Sequence, residues 1–243
     1  MFRLPTGLIY TQLGVPYIKR ILTVNLLANT WLEWRNPALI KCGVLDRWVM
    51  MSGEGWRLFE QPDLSCGMVI ALQHVEGAIT LLQHVVQLRG WETAKVTNDL
   101  MIKRTGDTAT WSLQQTQSRT AQLWRAQQVL RRNGVVFIAA DGLQGKQSVD
   151  VSFWGRQRPF QIGAAELAVE TCALFIPAFV TINAIGRVQV EITTPLTAQA
   201  SSKEEKIIEL TEKYGALYAA RWPQFYALMR WNWLAYNFNL PVV

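Results

Sequence analysis

Histidine is scarce in this chain: there are two in 243 residues, His74 and His84. Chemistry that needs a proton acceptor poised near neutrality therefore has few addresses. Ligands on one helix share a face only at three- or four-residue spacing, so this pair is not a metal pair. Cysteine is equally thin. Cys42, Cys66 and Cys172 are odd in number and far apart. That excludes a disulfide framework and a zinc cluster, and it points to buried thiols in a reducing compartment. Charged residues make up only 17% of the chain. No Lys/Arg run is long enough for a nucleic-acid tail, so nucleic acid is not an expected partner. No apolar run reaches about 18 residues, so no spanning helix is expected. Prolines and glycines interrupt residues 1–22, so no signal peptide is expected there. G-x-S-x-G, Walker A and G-x-G-x-x-G patterns are also missing.

What is present is apolar and aromatic. Half of the residues are hydrophobic, and tryptophan occurs eleven times. Trp31, Trp34, Trp48 and Trp56 lie early, and Trp222, Trp231 and Trp233 lie late. Tryptophan suits both cores and membrane interfaces. The net charge is +6, and a basic surface attracts phosphates.

The periodicity predicts an α/β protein with a mostly parallel sheet flanked by helices, and with helical N- and C-terminal extensions. One domain is expected over 1–243. A helical region covers 1–60, an α/β core 66–195 and C-terminal helices 203–240. Within 1–60, helices are expected at 18–34 and 45–59. Short apolar runs predict strands at 66–72, 93–98, 135–140, 149–154, 174–181 and 188–193. Helices are expected at 76–88, 112–132 and 163–171, and the C-terminal pair is expected to break near Pro223.

His74 follows an apolar strand and precedes a helix, a place where α/β sheets bind ligands. It is the candidate general base, with Glu76 as its candidate acid partner; the alternative is a structural histidine. Arginine forks match phosphate oxygens, which makes Arg125, Arg132, Arg156 and Arg158 candidate substrate contacts. A solvated helix face is the plain alternative for the first two. His84, inside a helix, is the weaker histidine candidate, and Cys172 reads as packing.

The segment from Asp141 to Thr181 carries the most specific order of elements. The strand VVFIAA ends in Asp141, the corner Phe153-Trp154-Gly155 follows, then Gly163-Ala164-Ala165 opens a helix, and Phe175-Ile176-Pro177 lies in a strand. With the strand–histidine–helix element at His74 and the ending RWPQFYALMRWNWL, this order resembles the lysophospholipid acyltransferase superfamily. The similarity is to the branch of lipid A biosynthesis lauroyl and myristoyl acyltransferases, over roughly residues 18–235.

The resemblance implies a glycerolipid acyltransferase-like fold. It also implies transfer of a fatty acyl group from acyl-carrier protein or acyl-CoA to a hydroxyl of a lysophospholipid or lipid A-type glycolipid. The thioester is then a co-substrate, and no cofactor or metal is expected. His74 matches the histidine of the family's His-x4-Asp/Glu motif, but Ile79 stands where the acid belongs. Asp141 and Gly163 join the four arginines as expected substrate contacts. The expected location is peripheral, on the cytoplasmic face of the inner membrane. The alternative is a catalytically impaired descendant that binds lipid or protein.

Overall fold

Strands made of continuous apolar residues must be covered on both faces, and the centre of this fold is built that way. The computed structural model describes residues 49–61, 64–74, 78–96, 101–104, 111–114, 119–141, 147–182 and 187–225. Strand β1 (Val49–Ser52) leads into a 3₁₀ helix (Glu54–Glu60) and β2 (Met68–Leu72). Helix α1 (Ala78–Gln87), β3 (Thr93–Val96), β4 (Met101–Arg104), β5 (Trp111–Gln114) and α2 (Arg119–Arg131) follow. Next come β6 (Val135–Ala139), β7 (Ser148–Phe153), β8 (Arg156–Gln161) and α3 (Gly163–Thr171). The order closes with β9 (Leu174–Ile182), β10 (Val188–Ile192) and α4 (Lys203–Phe225).

Six strands form one sheet in the order β1-β10-β9-β2-β6-β3. Strands β9, β2, β6 and β3 run parallel; β10 turns back against β9, and β1 runs parallel to β10. Every residue of β2 is buried. Its alternation divides the core: Val69 and Ala71 join the layer under α2, α3 and α4, while Met68, Ile70 and Leu72 join the layer under α1. The chain is thus an α/β protein with a mostly parallel, mixed sheet flanked by helices. Among the described residues, no helix is long and apolar enough to cross a membrane.

Two expectations are corrected. The stretch expected as a helix at 45–59 is, from Val49 on, a strand and a 3₁₀ helix. Gly53 has φ 88°, and a Cβ on Gly53 or Gly55 would strike the backbone of Ile192 or Thr193, so close packing against β10 replaces helical geometry. The long helix expected from 112 begins at Arg119, because Trp111–Gln114 pairs with Met101–Arg104 as a separate hairpin. The C-terminal helix runs through Pro223 to Phe225, the last described residue, and the break expected near Pro223 falls at that edge. Residues 1–48 and 226–243 lie outside the described residues, and so do the helix at 18–34 and the second C-terminal helix.

Pro223 has no N–H to give to the carbonyl four residues back, Ala219. The indole Nε1–H of Trp154 donates to that carbonyl instead, at 3.1 Å. Trp154 and Gly155 form the two-residue turn between β7 and β8, with φ 52° and 82°, the positive pair that such a hairpin requires. The hairpin turn therefore supplies the hydrogen bond that proline removes from α4.

Candidate functional site

Parallel register assembles the site. Leu72 of β2 pairs with Ala139 of β6. His74 and Asp141 each stand two residues beyond that pair, at the carboxyl ends of neighbouring strands about 4.8 Å apart. The tip of β2 is held from both sides. Ala140 N–H donates to Leu72 C=O at 2.9 Å, and Gln73 Nε2–H donates to Val180 C=O of β9 at 2.8 Å.

The Asp141 carboxylate meets His74 twice. The His74 backbone N–H reaches both oxygens at 3.0 Å, and the imidazole Nδ1 lies 2.7 Å from Oδ1. Tyr218 of α4 donates its hydroxyl to Oδ2 at 3.1 Å. The Asp141 side chain is fully buried, whereas that of His74 is 20% exposed. Burial pushes the Asp141 carboxyl up, but the His74 charge and hydrogen bond, and then the Arg158 charge, outweigh it and hold the carboxyl below its usual range. An ionised carboxylate accepts only, so in a neutral imidazole Nδ1 carries the proton and Nε2 keeps the lone pair. That is the arrangement of a general base oriented by an acid. Burial, and next the charge of Asp141, push the Tyr218 phenol well above its ordinary value, so it remains a donor.

Arg158 lies beneath this pair. It is 2% exposed, and its Nη2–H donates to the Asp141 backbone carbonyl at 3.0 Å. Its guanidinium lies 4.2 Å from the ring centroid of Phe160, 4.8 Å from Tyr218 and 5.6 Å from Phe153. Its Nε and Nη1 have no hydrogen-bond acceptor among the described residues; the faces of these rings are their electrostatic surroundings.

The other sequence candidates separate. Glu76 lies outside the described residues. Ile79 packs in the apolar layer under α1, so its place in the helix is a core place. Arg158 and Asp141 face inward and hold each other, so neither is presented to a substrate as expected. Arg132 pairs with Glu92 (Nε to Oε2, 2.9 Å), whose backbone carbonyl accepts from Val135 at the amino end of β6. That is a strand length, on the order of 15–20 Å, from His74. Arg125 is exposed on α2, about two turns before Arg132. Arg156 lies over Phe153 at 5.9 Å beside the hairpin turn. Gly163 opens α3, which leads into β9 parallel to β2, and so shares the carboxyl edge with His74. His84 sits on α1, about 9 Å along the helix from its start. Among the described residues, no group of three His, Cys, Asp or Glu side chains could hold a metal.

The partner of His74 thus comes from the next strand rather than the next helix. The signal for Asp141 was its position at the end of a fully apolar strand; nothing in the spacing announced Tyr218. The fold and site define an α/β protein with a buried, ionised aspartate orienting a partly exposed histidine at the carboxyl edge of a parallel sheet. No family model matches the chain, and no curated protein matches it at a significant level.

Proposed function

We propose that this protein is an acyltransferase. It moves a fatty acyl group from acyl-carrier protein or acyl-CoA to a hydroxyl of a lysophospholipid or lipid A-type glycolipid. The observation that carries the reading is the His74 Nδ1–Asp141 contact of 2.7 Å at the carboxyl edge of the sheet. His74 Nε2 takes the proton of the acceptor hydroxyl as its oxygen attacks the thioester carbonyl. The C–S bond then breaks, and the imidazolium returns the proton to the leaving thiolate, giving an ester and a thiol. Asp141 orients the ring and offsets its positive charge.

The ordered elements from Asp141 to Thr181 support the substrate class through their resemblance to lipid acyltransferases. The net charge of +6 and the exposed Trp124 support a peripheral place on the cytoplasmic face of the inner membrane. No observation in the described residues favours the alternative of an impaired lipid- or protein-binding descendant, whose motive is the isoleucine at 79.

The test is turnover of acyl-CoA or acyl-carrier protein with lysophospholipid and glycolipid acceptors. His74→Ala should abolish it, and Asp141→Asn should lower it by about 10²–10⁴-fold, as loss of an orienting acid does elsewhere. Equal turnover in the parent and His74→Ala proteins would overturn the mechanism.

A further inference from the structure

The Asp141 carboxylate and its backbone carbonyl are held from elements other than the strand that carries His74. Tyr218 belongs to α4, and Arg158 belongs to the β7–β8 hairpin. Among the described residues, the charged and titratable groups facing Asp141 are His74 just beyond β2, Arg158 on β8, and Tyr214 and Tyr218 on α4. Arg158 fixes the backbone by its bond to the Asp141 carbonyl, and Tyr218 fixes the side chain by its bond to Oδ2. A carboxylate with one oxygen claimed by a phenol cannot rotate about its terminal bond without losing that donor. Oδ1 is thereby kept for the imidazole.

We propose that Tyr218 and Arg158 are positioning residues of this site: they hold the Asp141 carboxylate in the one rotamer that keeps the His74 proton on Nδ1. The inference rests on the reading of His74 as the base only for its catalytic consequence. The guanidinium is a planar group lying against Phe160 and Tyr218 while bonding a carbonyl. A lysine ammonium has neither the plane nor the fork, so Arg158→Lys keeps the charge and loses the geometry.

The test uses the small number of histidines. In a His84→Asn background, His74 is the only imidazole, and ¹⁵N-labelled full-length protein reports its ring N–H directly by NMR. The expected parent signal is a downfield, exchange-protected Nδ1–H, moved or lost in Asp141→Asn. Tyr218→Phe keeps the ring and removes the hydroxyl. It should shift the signal upfield and speed its exchange by about tenfold, the scale of a hydrogen bond to a charged group. Arg158→Lys should do the same. Phe175→Leu, which loosens packing against Tyr214 without touching a donor of Asp141, should leave the signal in place.

In the acyl-transfer assay, Tyr218→Phe should lower kcat by about tenfold with KM unchanged, since the hydroxyl faces Asp141 rather than a substrate. An Nε2–H tautomer in the parent would overturn the proposal. So would an unmoved Nδ1–H in folded Tyr218→Phe and Arg158→Lys proteins, whatever the assay shows. Conversely, a moved Nδ1–H with no acyl transfer in the parent sustains the positioning roles and rejects the acyltransferase reading.

Discussion

Asp141 has no exposed side-chain surface, yet its carboxyl is held below its ordinary value. Burial alone would act in the opposite sense, so the His74 and Arg158 charges and the donors around it prevail. This gives a pH dependence with a definite sign. A carboxyl whose folded pKa lies below its unfolded value of 3.8 contributes stability that is fully present above that value. The contribution is lost as the pH falls through the lower folded value. Urea unfolding of the parent and Asp141→Asn should therefore show a stability gap that shrinks as the pH falls from about 5 toward 3. A gap that widens on acidification would contradict the assignment. Ile79 makes the complementary case at the same scale. Because it is 8% exposed in an apolar layer, Ile79→Glu should cost roughly 2–4 kcal/mol and add no activity. A thermal melt and the acyl-transfer assay together check both halves.

The hairpin and the last helix form a coupled pair of elements. Trp154 Nε1–H fills the hydrogen bond that Pro223 leaves open at Ala219. Trp154→Phe should cost about 1 kcal/mol. Pro223→Ala restores a helix N–H for the same carbonyl, so in that background the cost should fall by about half or more. A double-mutant cycle in urea measures the difference, and strict additivity would refute the coupling.

Legibility in the sequence follows the same division. Strands β2, β6 and β9 were readable because they are nearly unbroken apolar runs. Strand β8 (RQRPFQ) was not, because its inward side carries Arg158 beside Phe160, and an arginine counts as surface in any hydrophobic pattern. The start of α2 is not legible in the sequence because a strand pairing at Trp111–Gln114 overrides polar helix formers. His74 was legible from its place after a strand. Proximity along the chain points to an acid at Glu76 or at 79, whereas the partner is set by strand register across 67 residues.

At the scale of the whole molecule, the basic balance and the exposed Trp124 and Trp154 set an expectation for surfaces. The protein should partition onto anionic vesicles more than onto neutral ones, and salt should weaken the partitioning. Sedimentation with the two vesicle types measures it, and equal, negligible binding would remove the membrane from the proposed function. The long reach of the Asp141 contacts has another result, which concerns synthesis. Asp141 meets His74 across 67 residues and Tyr218 across 77. A chain emerging from the ribosome has displayed every strand of the sheet before Tyr218 appears. Completion of the site thus waits for the last described helix to dock, and a truncated or half-made copy carries the histidine without its full set of supports.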